Sequence, residues 1–238
     1  MTVRKYCSLL NLVSVLIIQL KRLFVIPESH SIEKIFKTVD SGKFGSAICI
    51  DLQKAFDTVD HEILLSKLSF YGIRGISLEW FRSFLFNRMQ SVTVNGSKSK
   101  LKRIAHGVPQ GSLLGPLLFL IFVNNLSNAI AYADANLFAD DTMLFHNHSS
   151  LKSLTKIVNI DLKLLTQWLN ANKIALNCSK TELLIFKPKR QTLDHDIKIK
   201  INNGHGLHPS KVVKYLGVYI DDELNWKTHI NFVCSKIK

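Results

Sequence analysis

Asp140 and Asp141 stand side by side in Asn136-Leu-Phe-Ala-Asp-Asp-Thr-Met-Leu-Phe145, and Asp51 closes a second apolar run, Ala47-Ile-Cys-Ile-Asp51. Carboxylates carried out of a hydrophobic core to one edge are what a two-metal phosphoryl-transfer site needs. Mg²⁺ takes hard oxygen ligands in octahedral geometry, commonly one or two carboxylates beside substrate phosphates. Two such ions, ~3.5–4 Å apart, serve the attacking and the leaving oxygen separately. An isolated Asp-Asp is usually a solvated turn. Here the acids occupy only the tip of an apolar hairpin, and a third acid ends another apolar strand. Convergence of the three would make the chain one that polymerises or cuts nucleic acid.

Two further segments flank this set. Gly107-Val-Pro-Gln-Gly-Ser-Leu-Leu-Gly-Pro116 places glycines where a backbone can approach a flat or charged ligand closely, ahead of a helix start with free amides. Read alone, it is equally a plain start to a helix. Asp51-Leu-Gln-Lys-Ala-Phe-Asp-Thr-Val-Asp-His61 puts Phe56 five residues beyond Asp51, while Asp57 and Asp60 suit helix initiation. By type alone Phe56 is a core aromatic and Lys180 a surface lysine opening a strand.

The elements that must carry these residues follow from periodicity. Residues 31–40 predict a helix ending at Ser41-Gly42, and 46–50 a strand leading into Asp51. Asp60 caps a helix with Ile63, Leu64, Leu65 and Leu68 on its apolar face, ended by Gly72. Ser77 is expected to cap the next, with Leu78, Phe81 and Leu85 inward. Gln90–Val94, Asn95-Gly96 and a basic strand to Ile104 predict a hairpin with a type I′ turn. An apolar helix is expected over 113–130, with Pro116 in its first turn. Ser149 or Ser150 caps a long helix to about Asn172, and strands are expected at 181–186, 197–201 and 212–220. A helix begins at Trp226. This irregular alternation predicts an α+β fold, an antiparallel sheet with helices packed on one face.

Composition agrees with an ordered, basic protein. The 238 residues are 47% hydrophobic and 21% charged, with a net charge of +13, which excludes a disordered tail and suits a polyanionic partner. Cys7, Cys49, Cys178 and Cys234 are widely spaced and form no zinc-type pair; Cys49 and Cys178 read as buried free thiols in a reducing compartment. Cys7 to Leu20 is an apolar run between basic residues. It lacks a cleavage site and falls short of the ~20 residues that span a bilayer, so it reads as a helix against the domain, with membrane insertion as the alternative.

Together these segments resemble the reverse transcriptases of non-LTR (LINE-like, jockey-type) retrotransposons, from about Glu33 onward. The run Asp51–His61 is similar to the family's first catalytic motif, Gly107–Phe119 to its template and nucleotide loop, and Phe138-Ala-Asp-Asp141 to its Tyr/Phe-Ala-Asp-Asp hairpin. Leu176–Thr181 and Val213–Val218 resemble two later palm motifs. The resemblance implies a right-hand polymerase palm with partial fingers. It implies Asp51, Asp140 and Asp141 as ligands of Mg²⁺ (Mn²⁺ as a substitute), assisted by the backbone carbonyl of Leu52. Phe56 becomes the steric gate against the 2′-hydroxyl, and Gln110 and Gly111 line the nucleotide and template pocket. Lys180 becomes the proton donor to pyrophosphate, and 213–218 the primer grip. Implied partners are an RNA template, a DNA primer and deoxynucleoside triphosphates, with no stable membrane association, in the nucleus or cytoplasm.

The expected organisation is an atypical apolar segment over 1–30, the palm with partial fingers over 31–222, and the start of a truncated thumb or connecting helix over 223–238. Leu9–Ile26 does not match the family's fingers region, and no endonuclease segment is expected ahead of it. The competing expectation is a truncated remnant that binds nucleic acid without polymerising. A membrane-tethered protein and a metal-dependent nuclease are weaker alternatives, the latter lacking a distinct base.

Overall fold

Residues Phe44–Ile50 read Phe-Gly-Ser-Ala-Ile-Cys-Ile, a run whose apolar side chains alternate onto both faces of a strand and require cover on each. The computed structural model describes residues 28–188, 191, 197–201 and 204–237, and the N-terminal apolar run lies outside them. In chain order the elements begin with α1 (Glu28–Asp40), β1 (Phe44–Ile50), α2 (His61–Phe70) and α3 (Ile76–Leu85). Four short strands follow, β2 (Met89–Gln90), β3 (Thr93–Val94), β4 (Ser97–Lys98) and β5 (Lys102–Arg103), then α4 (Leu114–Val123). After a 3-10 turn come β6 (Asp134–Phe138), β7 (Asp141–His148), α5 (Leu151–Ala171) and β8 (Glu182–Phe186). Two strand pairs, β9 (Ile199–Ile201) with β10 (His205–Leu207) and β11 (Val212–Tyr215) with β12 (Val218–Asp221), precede α6 (Lys227–Ile237). Among the described residues no helix is long and apolar enough to cross a membrane.

The chain forms two compact units. Among the described residues, the sheet unit holds 28–53, 126–171 and 175 onward, and the helical unit 54–125 with 172–174.

In the sheet unit the antiparallel order is β6-β7-β1-β8. Ala47, Met143, Phe145, Leu184 and Phe186 project to one face, where they form a core with Ile35 of α1 and with Val213, Tyr215 and Ile220 of β11 and β12. The other face meets α5, whose Leu154, Val158, Leu162, Leu165 and Leu169 are buried at spacings of three and four. Asp161 of α5 and His146 of β7 meet on that side at 3.1 Å. The fold is thus the expected α+β arrangement on an antiparallel sheet, with α5 on one face and α1 with the β11–β12 hairpin on the other, because β1 is apolar on both sides.

Asp161 is fully buried, and its carboxylate also accepts the amides of Ala131 (2.9 Å), Tyr132 (3.0 Å) and Ala133 (2.7 Å). These bonds tie the segment leading into β6 to α5, and so fix the base of the aspartate hairpin. The single strand expected at 212–220 is instead a hairpin that turns at Leu216-Gly217, with φ of 47° and 86°. Positive φ at both central residues makes a type I′ turn. Leucine is a poor signal for one; here the partly buried Leu216 packs on the core.

In the helical unit Asp60 caps α2 as expected, its Oδ1 accepting the Ile63 amide at 3.0 Å. Burial would raise the Asp60 carboxyl, but the Lys173 ammonium at 2.7 Å and the Ile63 amide outweigh it and hold it below its ordinary value. α3 starts at Ile76 after Gly75 (φ 58°), so Ser77 lies inside the helix rather than capping it. α4 is shorter than the expected 113–130 helix. Asn124 and Asn125 end its apolar run, bonding Tyr71 (2.9 Å) and Lys67 (2.9 Å) instead.

Candidate active site

The register of β1 on β7 pairs Ile50 with Thr142, so one further step brings Asp51 level with Asp141. Phe138 pairs with Asp141 across β6 and β7, leaving Ala139-Asp140 as the two-residue turn. Ala139 is held at φ 53°, a conformation L side chains rarely adopt. Asp51 and Asp141 line one cleft of about 380 Å³ with Cys49, Lys180, Glu182 and Lys214. Burial first, then repulsion by Asp140 and Asp51, pushes the Asp141 carboxyl above its ordinary value. Asp141 therefore senses both other aspartates, although Asp140 stands outside the cleft lining. Among the described residues no three His, Cys, Asp or Glu side chains are arranged to hold a single metal ion.

The loop between α5 and β8 completes the cleft. Asn177 Nδ2 donates to Asp51 Oδ2 at 2.7 Å, and the Asn177 amide donates to the Asp51 carbonyl at 2.9 Å. Thr181 Oγ1 closes the loop on the Asn177 carbonyl at 2.9 Å. Gln53 donates to the Ala175 carbonyl at 2.9 Å, so Leu52, opposite Leu176, is pinned from both sides. Lys180 is exposed at the cleft wall.

Three residues here escaped sequence reasoning. Asn177 lay in a segment singled out only for Lys180. Glu182, opposite Cys49 in the β1–β8 register, brings another carboxylate, raised by burial. Lys214 lies near the rings of Tyr219 (5.8 Å) and Phe232 (5.7 Å). Cys49 is a free thiol, pushed up to about 12 by burial and then by Glu182 and Asp141.

Phe56, Gln110 and Gly111 belong to the helical unit. Phe56 is half-buried, its ring 4.6 Å from that of Phe119. Gln110 donates to Asp57 Oδ1 at 2.7 Å, beside a cleft of about 640 Å³. Gly107 has a strict role: a Cβ there would lie 2.9 Å from the Asp57 backbone. The Gly107 and Val108 amides bond the Val59 and Phe56 carbonyls, each at 2.8 Å, clamping the loop to the segment after Gln53.

Comparison with known proteins decides the family. The family model described as reverse transcriptase (RNA-dependent DNA polymerase) matches residues 7–220. The chain belongs to the reverse transcriptase family. The match begins further toward the N-terminus than the resemblance drawn from Glu33. Among relatives, the RNA-directed DNA polymerase from mobile element jockey of Drosophila melanogaster is 28% identical over 82% of this chain and 21% of its own length. The probable RNA-directed DNA polymerase from transposon BS of the same species is 29% identical over 86% of this chain and 23% of its own. The chain thus spans about a fifth of the length of these non-LTR retrotransposon relatives. Its fold is also that of an apo telomerase from Candida tropicalis, at TM-score 0.60 and 15% identity, covering 92% of this chain and 44% of the other. The reverse transcriptase fold accounts for the mixed architecture, with strands and helices on both faces of the sheet.

Proposed function

We propose that this reverse transcriptase domain is an RNA-directed DNA polymerase that transfers deoxynucleotides to a primer 3′-hydroxyl on an RNA template. The observation that carries the reading is the strand register that brings Asp51 and Asp141 to one cleft with Lys180. The donor set fits a divalent cation: the oxygens are hard, and the crowded carboxylates gain from a positive charge among them. Asp51, Asp141 and Asp140 would hold Mg²⁺, or Mn²⁺ in its place, with the Leu52 carbonyl beside them. Bound there, the cation supplies electrostatic activation of the 3′-hydroxyl and neutralisation of the triphosphate.

The remaining roles fall to the chain itself. The 3′-hydroxyl gives up its proton to solvent as its oxygen forms a bond to the α-phosphorus and the α–β phosphoanhydride breaks, and Lys180 gives a proton to the departing pyrophosphate. Asn177 restrains Asp51. Phe56 selects against the 2′-hydroxyl, and Gln110 and Gly111 line the path of the nucleotide and template. Such an enzyme works in the nucleus or cytoplasm, where template RNA is present.

Primer extension on an RNA template tests this reading. Asp140→Asn and Asp141→Asn are each expected to abolish extension while leaving the circular dichroism spectrum and nucleic-acid binding intact. Extension at the wild-type rate by either variant overturns the site assignment. Binding by the wild-type chain without any extension supports the remnant instead.

A further inference from the structure

We propose that the basic hairpin 88–103 is an arm that grips the phosphate backbone of a nucleic-acid duplex; the identity of the ligand rests on the polymerase reading. The first observation is charge. Between Glu79 and Asp134 the chain has no acidic residue, yet it carries Arg82, Arg88, Lys98, Lys100, Lys102 and Arg103. Five of these six lie on the hairpin or at its base. None of the five forms an ion pair with a carboxylate among the described residues. Arg103 Nη2 only reaches Asn87 Oδ1, at 3.3 Å. Arg88 is half-buried, but Lys98, Lys100, Lys102 and Arg103 are exposed, and exposed, unneutralised cations are available to displace the counterions condensed on a phosphate backbone.

The second observation is shape. Every residue of β2, β3, β4 and β5 is exposed, so the arm packs neither face into a core. Thr93 pairs with Lys98 near the tip, but Gln90 pairs with Lys102 at the base. The returning strand therefore holds one extra residue, a bulge next to Lys100. A bulge increases the twist of a ribbon, and a twisted, two-sided ribbon follows a helical backbone better than a flat surface. Exposed Val92, Val94 and Leu101 supply apolar contact suited to sugars.

The third observation is continuity. The base of the arm opens onto the cleft of about 640 Å³ lined by Lys54, Arg88, Gln90, His106 and Gln110. A strand entering beside Gln110 thus meets the arm within the same unit.

The test uses the full chain and a short synthetic RNA–DNA duplex with a recessed primer end, with binding followed by fluorescence anisotropy across a salt series. Each neutralised phosphate contributes ~0.9 to the slope of log affinity against log salt, so Lys98→Gln/Lys100→Gln/Lys102→Gln should flatten that slope by about 2–3. The control, Lys152→Gln/Lys156→Gln/Lys163→Gln, removes three exposed charges from α5 and should change it far less. Lys100→Glu alone, at the bulge, is a milder second variant and should also weaken binding. Circular dichroism confirms folding in each case.

An unchanged slope in the arm variants, or an equal change in the control, overturns the proposal. So does loss of binding to anionic lipid vesicles with duplex affinity retained. Primer extension separates the two readings. Arm-dependent binding without extension leaves the arm standing and removes the polymerase; normal extension with arm-independent binding does the reverse.

Discussion

A carboxylate that is to hold a cation gains from being oriented beforehand, and Asn177 orients Asp51 through a side-chain bond of 2.7 Å and a backbone bond of 2.9 Å. Removing the side-chain bond leaves the backbone loop in place. Asn177→Ala is therefore expected to lower kcat by roughly 10–100-fold, the scale of effect that follows a small misplacement of a reacting group. The KM for deoxynucleotide and the thermal midpoint should change little. A variant whose loss lay entirely in KM would remove the positioning role. The residue went unnoticed in sequence because asparagine in a polar loop is ordinary, and only the fold shows which carboxylate it faces.

At the scale of elements, the aspartate hairpin depends on a polar anchor inside an apolar layer. Asp161 and His146 are both fully buried, and burial lowers the His146 imidazole despite the opposing pull of Asp161. The sign follows directly. A folded-state value below the ordinary 6.5 means that the unfolded chain binds a proton first as pH falls. This contribution to stability is complete above 6.5 and declines as pH drops below it, by at most ~1.4 kcal/mol per pH unit for one proton. Urea unfolding at pH 7.5 and pH 5.5 should show that loss in the wild type and a smaller one in His146→Gln. An equal loss in both would assign the pH dependence to other groups. The same scale shows what periodicity reveals. Helix 151–171, strand 44–50 and the Asp60 cap stand in the sequence because local spacing and side-chain type determine them. The Leu216-Gly217 turn and the Gly75 start of α3 do not, since each relies on a backbone conformation that tertiary packing stabilises.

Across the whole molecule, charge is segregated. A long acid-free stretch supplies the basic arm in the helical unit, whereas the candidate metal carboxylates gather in the sheet unit. Crowded like charges destabilise the fold that holds them, so a divalent cation should stabilise the protein even without substrate. Mg²⁺ at ten times its dissociation constant should add about 1.4 kcal/mol, read as a higher thermal midpoint. Asp141→Asn should raise the midpoint without Mg²⁺, by relieving repulsion, and should blunt the response to it. A Mg²⁺ response unchanged in that variant would place the ion elsewhere.

The sequence alone determined that Asp51 and the Asp140-Asp141 pair end apolar strands, that an Asn-Gly hairpin carries lysines, and that the motifs follow a polymerase order. Local propensity and covalent order are sufficient for that. Tertiary structure decided which groups share a cleft: Asp51 with Asp141, Lys180, Glu182 and Lys214, but not Asp140. Strand register and loop closure bring Asp51 to residues ninety or more positions further along, and side-chain spacing along the chain carries no record of that pairing.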